Sequence, residues 1–374
     1  MKKHIKLFNV VALAFLLTIS SVMAASAQKD DGEKRRTISK SYTVGSEDKL
    51  SIDNSFGDVV INTWDKSEFK IDVEIFAKAT SDDLAQKMLD HMKVEDSKTG
   101  NTVSFKTEIH INGGHHDGED DKDQEDGDND NDRNSGKHRN GNTDNKHFHV
   151  NYTVYMPQTN PLELINQFGK TTLPDFKGPV RLTSKFGSLR TGNLDNVQSV
   201  DVEFGNAIIG DIHNGKITLK YDDKSTVGKL SGSVKIDNEF TDLVQYNVGD
   251  DINDLNINEQ FSDIRVVVSK DFSAHFTIHT NFGDFSNHTD FSFSDKPENS
   301  EDDNGSIRFD KDFSGISGAG KANVRIRTNF GNVSLAHNIL TREELDKEKK
   351  ERKEHKERKE KKEKKEQSED EESK

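Results

Sequence analysis

Leu50-Ser51-Ile52-Asp53-Asn54-Ser55-Phe56-Gly57-Asp58 is the stretch that decides the fold. Apolar Leu50 and Ile52 alternate with polar neighbours, and a Phe-Gly step closes the run. The step returns at Phe168-Gly169, Phe186-Gly187, Phe204-Gly205, Phe282-Gly283 and Phe330-Gly331. Degenerate copies stand at Tyr221, at Phe240-Thr241-Asp242 and at Phe261-Ser262-Asp263. From 168 to 282 the aromatics are 18, 18, 17, 19, 21 and 21 residues apart. A repeat of that length points to a stacked architecture, and it takes precedence over local propensity.

Aligned on the aromatic, the positions six and four residues earlier hold Leu50/Ile52, Leu162/Leu164, Val180/Leu182, Val234/Ile236, Leu255/Ile257, Phe276/Ile278 and Val324/Ile326. Period-two alternation puts them on one face of a strand, and extended to the aromatic it predicts an internal ladder of Phe rings. Two residues before the aromatic stand small polar groups, Asn54, Asn166, Ser184, Asn238, Thr280 and Thr328, suited to satisfying a corner's backbone. The following Gly allows a bend, a bulge or a positive φ that a residue with a Cβ would resist. A second apolar set starts just beyond, at Val59, Leu189, Leu243, Ile264 and Val333. The predicted fold is mainly β: a parallel β-solenoid (β-helix-like) of about 18–21-residue coils, roughly nine over 160–340, with a small α+β N-terminal unit. A twisted antiparallel β-sandwich is the competing architecture.

The chain has 374 residues, 30% hydrophobic and 32% charged, with a formal net charge of −15. That is too polar for one compact globule, so the core is thin or long segments lie outside it. The acidic balance argues against non-specific nucleic-acid binding. Residues 1–27 read as a signal peptide, with Lys2, Lys3 and Lys6, an apolar run Leu7–Leu17 and Ala25-Ser26-Ala27 before Gln28. Export to the periplasm, cell surface or medium is expected, with no transmembrane span in the mature chain. Cysteine is absent, which excludes disulfides and a lipid-acceptor Cys.

Residues 37–157 form the N-terminal β-rich unit. Strands are expected at Leu50–Asn54, Asp58–Thr63, Phe69–Ala77, Thr102–Ile111 and Phe148–Met156. A helix is expected over Ser81–Val94, where Leu84, Met88, Leu89 and Met92 pack as core. Residues 113–147 read as a disordered acidic insertion. Residues 158–340 carry the repeats, interrupted by a second acidic loop at Ser294–Ser306. Residues 341–374 are a low-complexity tail of 14 basic and 14 acidic residues, favourable for a solvated helix through i,i+4 pairs.

Three places in the sequence are candidate sites. His115, His116, His138, His147 and His149 with Asp128, Asp130 and Asp132 suggest weak cation binding in the insertion, but Arg133 and Arg139 occupy positions where a calcium loop needs Gly and Glu. Asp242, Asp263 and Asp284 recur two residues after the aromatic in successive coils, a ladder of repelling charges that a bridging Ca²⁺ would relieve. Trp64 is either a sugar anchor or an ordinary strand-end aromatic. No nucleophile, zinc or phosphate-loop motif is present, so no catalytic, cofactor or metal residue is assigned.

Asn54-Ser55-Phe56-Gly57-Asp58-Val59-Val60-Ile61-Asn62-Thr63-Trp64, the strand Lys70–Phe76 and the later N-x-F-G steps resemble a family of exported β-strand-repeat proteins of Bacteroidetes-type bacteria. These are labelled "putative adhesins" and are similar to the auto-transporter adhesin head domain. The resemblance spans about residues 40–340. It implies an envelope or surface role and assigns no functional residue. The expected function is that of a non-enzymatic, adhesin-like or envelope-associated binding protein, with a glycan or a cell-envelope protein as partner. A carbohydrate-active β-helix enzyme and a structural spacer are the alternatives.

Overall fold

The computed structural model describes residues 32–110, 146–222, 225–296, 310–341, 343–348, 350–351, 354 and 358. The first unit contributes β1 (Gly32–Thr43), β2 (Lys49–Ser55), β3 (Val59–Trp64), β4 (Glu68–Ala79), α1 (Asp82–Asp90), β5 (Met92–Thr99), β6 (Thr102–Ile109) and β7 (His147–Pro157). Each repeat then gives a longer strand before its aromatic and a shorter one after it. These are β8 (Leu162–Gln167) with β9 (Lys170–Leu173), and β10 (Phe176–Lys185) with β11 (Ser188–Thr191). Next come β12 (Leu194–Glu203) with β13 (Asn206–Ile209), and β14 (Ile212–Lys220) with β15 (Thr226–Val227). The rest are β16 (Lys229–Glu239), β17 (Val244–Gln260), β18 (Ile264–Val267), β19 (Ala274–Asn281), β20 (Phe285–His288), β21 (Phe293–Lys296), β22 (Asp310–Ser317), β23 (Ala322–Asn329) and β24 (Val333–Ala336).

The molecule is mainly β, built of large sheets that do not close into a barrel. One sheet has 8 strands in the order β1-β4-β7-β3-β9-β11-β13-β15. The other has 16, with the path β21-β22-β19-β23-β17-β16-β14-β12-β10-β8-β2-β6-β5 and β18, β24 and β20 branching from β17. Both sheets are mixed. Pairing is parallel through the repeats, as in Val180↔Leu162 and Leu182↔Leu164, but antiparallel at the ends, in β1–β4–β7, β5–β6 and β19–β22–β21. An all-parallel stack therefore does not describe the whole chain.

The apolar alternation reads out as expected. Leu50, Ile52, Leu162, Leu164, Val180, Leu182, Leu255 and Ile257 are all buried, as are Val59, Leu189, Ile264 and Val333. One continuous core runs from the first unit through the repeats, because β2 pairs with β8 and β3 with β9. The polar residues two before six of the aromatics are also interior: Asn54, Asn166, Ser184, Asn238, Thr280 and Thr328 are at most 2% exposed. Asn54 and Thr328 donate to the carbonyls of Gly57 and Gly331, satisfying the corner, and Asn54 also donates to Asn166 Oδ1 at 3.0 Å.

Four expectations are corrected. First, the helix starts as expected, capped by the Ser81 side chain accepting from Leu84 N, but ends at Asp90. Met92–Thr99 leaves the helix to pair antiparallel with β6, burying Met92 from a strand. Second, the chain begins its first sheet with β1, a charged strand whose residues alternate too weakly in hydropathy to be read. Third, the final repeat is intercalated. β23 sits between β17 and β19, so the rings stack in the order Phe261, Phe330, Phe282. The short turn from β22 to β23 crosses the start of β19, where Ser273 Oγ accepts from Ala319 N and Lys321 N. Fourth, the tail does not begin as a free solvated helix. Thr341 and Glu344 cap a helix at 343–348 reciprocally, Leu345 is buried, and Arg265 reaches Glu348 at 3.8 Å. The signal-peptide reading and nearly all of the acidic insertion lie outside the described residues, as does most of the loop at 294–306.

Both ends of the molecule depart from the regular parallel stack. At the first end stand α1, the antiparallel β1–β4–β7 and the cluster of Tyr42, Phe105 and Tyr152. At the other, Phe276, Phe285, Phe291, Phe293 and Phe313 pack edge-on or tilted against one another.

Candidate functional site: the aromatic ladder

The ladder exists, but it lies outside. Phe56, Phe168, Phe186, Phe204, Tyr221, Phe240, Phe261, Phe330 and Phe282 stack in that order, with centroids 4.5–5.2 Å apart and planes within 8° of parallel. The last eight are each 43–47% exposed. Phe56 is capped by Phe148 at 5.3 Å. The expectation of an inward ladder fails because the aromatic is not extended: each has φ between +51° and +61°. That left-handed corner turns the side chain away from the face its neighbours share. The spacing is that of adjacent strands. The corner amide of each ring residue donates to the carbonyl before the next ring, as in Phe186 N to Glu203 O at 3.0 Å and Phe204 N to Lys220 O at 3.1 Å.

The Gly sits in a bend, as expected, and does one thing more. It supplies no positive φ but permits a close approach. A Cβ on Gly187 would lie 2.0 Å from Gly169 O, one on Gly169 1.8 Å from Gly57 O, and one on Gly331 1.8 Å from Ser262 O. The left-handed conformation costs a residue with a Cβ about 1–2 kcal/mol, and each stacked pair returns about 0.5–1.5 kcal/mol beyond area burial. The two terms are of one size, so the corner holds only as part of the stack.

Three repeats depart from this plan. Asp222, Thr241 and Ser262 replace Gly, and all three are buried. The register Ile208↔Thr226 and Val244↔Ile264 shows one extra residue after Tyr221 and after Phe240. There the corner opens into a groove of about 390 Å³ lined by Tyr221, Asp222, Phe240, Thr241, Asp242 and Phe261. Beneath it the polar column holds a carboxylic acid. Glu259 is 2% exposed, accepts from Asn238 Nδ2 at 2.7 Å, and faces no cation among the described residues. Burial raises its pKa to about 8, against the lowering by its bonds to Ser262, Asn238 and Gln260. Tyr246 is fully buried nearby with its hydroxyl unbonded, and burial likewise drives its pKa well above the usual value.

Polar residues flank the ladder on both sides. The residue before each ring runs Gln167, Lys185, Glu203, Lys220, Glu239, Gln260, with Lys185–Glu203 at 2.8 Å and Lys220–Glu239 at 2.7 Å. Two residues after the rings, Tyr221 excepted, stand Asp58, Lys170, Ser188, Asn206, Asp242, Asp263, Asn332 and Asp284. The expected acid ladder is broken here. Asn332 of the intercalated repeat separates Asp263 from Asp284, donating to Asp263 and accepting from Asp284 N. Asp242 and Asp263 alone remain neighbours, and Asp284 meets Lys311.

The other sequence candidates do not converge on the ladder. His115, His116, His138, Asp128, Asp130 and Asp132 lie outside the described residues, while His147 and His149 sit on β7 against Phe76. Trp64 ends β3 with its ring between Tyr155 and Lys66 and its Nε1 donating to Glu68 O. Leu84 and Met88 line a shallow cleft of about 280 Å³ with Met92, Ile109 and Phe148, while Leu89 is core. Among the described residues no helix is long and apolar enough to cross a membrane. The outward ring and the acid at 259 were missed by pattern reading. No local signal marked the first, because a polar residue next to each ring is also what an inward ring would show. The signal for the second was a Glu at a position where six other repeats carry Asn, Ser or Thr.

No protein-family model matches the chain, and no curated protein does. Two solved structures resemble it. One is a "putative cell adhesion protein" from Clostridium sporogenes ATCC 15579, 10% identical, with a TM-score of 0.23, covering 83% of this chain and 100% of that one. The other is a "putative adhesin" from Bacteroides fragilis NCTC 9343, 10% identical, with a TM-score of 0.30, covering 80% and 97%.

Proposed function

We propose that this is an exported, non-enzymatic binding protein of the cell envelope, which makes its contacts along the aromatic ladder. The parallel middle of the two sheets is then a β-solenoid with a capped end on either side, and residues 1–27 direct its export. The observation that carries the reading is the row of eight half-exposed aromatic rings in one line. Folded monomers seldom expose a contiguous apolar patch beyond a few hundred Å² unless it is a contact surface. A rigid row of equal contacts suits a partner met at many points, where weak contacts add through effective concentration. The partner class is an envelope protein or a glycan.

The test is retention of the protein on envelope preparations and on a panel of bacterial and host polysaccharides, with reducing-end and unsaturated-uronate assays alongside. Retention without release of product is expected, and it falls when Phe186 and Phe261 are both replaced by Ala in a protein that keeps its β-type circular dichroism. Turnover abolished by one Asp→Asn change would replace the binding reading with a carbohydrate-active enzyme. Neither retention nor turnover would leave a structural spacer.

A further inference from the structure

The ladder raises the question of which partner can follow it for its whole length. Nine rings at 4.5–5.2 Å repeat at the spacing of β-strands. A partner with a different period slips out of step within a few repeats. A second copy of the chain has the same period by construction.

We propose that the ladder docks on the ladder of a second copy, antiparallel, about a two-fold axis between Phe204 and Tyr221. This rests on the reading of the ladder as a contact surface and names its occupant. The charge pattern of the flanks selects the register. With the axis there, Phe204 faces the position of Tyr221, Phe186 that of Phe240, Phe168 that of Phe261 and Phe56 that of Phe330. On the flank before the rings, Glu203 then opposes Lys220, Lys185 opposes Glu239, and Gln167 opposes Gln260. On the flank after them, Lys170 opposes Asp263, Ser188 opposes Asp242, and Asp58 opposes Asn332. No like charges meet at these positions, and every contact occurs twice, as an isologous interface requires.

The neighbouring registers fail on the same residues. An axis through Tyr221 sets Glu203 against Glu239 and Lys220 against its own copy. An axis through Phe204 sets Glu203 against itself. A parallel pairing in register sets Glu239 against Asp242. The pairs Lys185–Glu203 and Lys220–Glu239 already exist within one chain, so docking joins them into alternating networks across the two-fold. Networks retain more attraction than isolated surface pairs. The area is also adequate. Seven rings near 45% exposure, at about 200 Å² each, bring roughly 600 Å² per copy before the flanks are counted, against about 800 Å² per partner in a standard interface.

The chain contains no cysteine, so introduced ones report cleanly. The experiment uses the protein as recovered after export. Sedimentation equilibrium should give twice the chain mass at micromolar concentration. Ser188→Cys and Asp242→Cys proteins should form a disulfide when mixed. Neither should do so alone, because like positions lie about three strand spacings, roughly 14 Å, apart. Lys185→Glu should weaken self-association at least about tenfold, and so should Glu239→Lys, each setting like charges together twice. Mixed, the two should associate like the native protein, because the heterodimer restores opposite charges at both contacts. Thermal melts of each variant check that the fold is intact. A strictly monomeric protein, self-linking by Ser188→Cys alone, or a mixture no better than its parts each overturns the proposal. A monomer that is still retained on envelope material would reject the two-fold pairing and leave the proposed function standing.

Discussion

The repeats at Phe168, Phe186 and Phe204 and those at Tyr221, Phe240 and Phe261 perform the same corner in two ways. In the first group Gly follows the ring, successive glycine backbones nearly touch, and the repeat length is almost constant. In the second, Asp222, Thr241 and Ser262 place buried side chains where glycine has none, and two of the repeats lengthen by one residue to make room. Thr241 N donates to Ser262 Oγ at 2.8 Å, and Ser225 N to Asp222 Oδ1 at 3.0 Å. Close backbone approach in one group is replaced by side-chain hydrogen bonds in the other. The rings stack without interruption through both, so the ladder does not depend on which solution lies under it.

The largest effect should come from moving one solution into the other. Gly187→Ala places a Cβ 2.0 Å from a backbone carbonyl that has no flexible end to yield. We expect loss of more than about 3 kcal/mol, or of the cooperative transition altogether, in chemical denaturation. Thr241→Gly, the reverse change, should cost no more than about 2 kcal/mol. Equal effects would show that the two corners do not differ as described.

The buried acid distinguishes the second group by pH. Glu259 is raised from 4.5 to about 8, so between those values the folded state holds a proton that the unfolded state has released. Its contribution is complete below about pH 4.5 and fades as pH rises, by about 1.4 kcal/mol per pH unit, until it levels off above about 8. Glu259→Gln, which keeps the shape without the titration, should flatten the stability profile in that window and gain most at alkaline pH. A native protein with the same slope as the variant would reject the neutral buried acid.

Smaller effects belong to the ladder itself. Phe204→Ala removes a ring that is 44% exposed, so the loss is well short of that for a core Phe: about 1–3 kcal/mol, from two stacking contacts and half of a buried ring. Ile257→Ala, deep in the same core, should cost about 2–5 kcal/mol, and a reversed order would return the rings to the interior. Smallest of all, Lys220→Ala breaks an exposed pair with Glu239 and should shift stability by less than about 1 kcal/mol by the same measurement.

Much of this architecture was legible in the residues. The alternation of Leu162, Leu164, Val180 and Leu182 with polar neighbours dictates strands with one buried face, because burial removes each second side chain from water. The recurrence of Phe-Gly at strand ends dictates a stack, because equal repeats bury their faces only on one another. Asn54, Asn166 and Asn238 could be placed at corners, since a short amide reaches its own backbone. Other features are properties of three dimensions. A ring such as Phe186 points out or in according to one backbone angle, and φ is set by the hydrogen bonds of the corner to the next repeat, which no local pattern contains. The order Phe261, Phe330, Phe282 departs from chain order because β23 finds two open edges, those of β17 and β19, and pairing with both satisfies more backbone than pairing with one. Glu259 reads as an ordinary surface acid until the strands on either side are in place. It becomes an interior one only because its register with Asn238 and Thr328 puts it in the polar column, away from water and from any described cation.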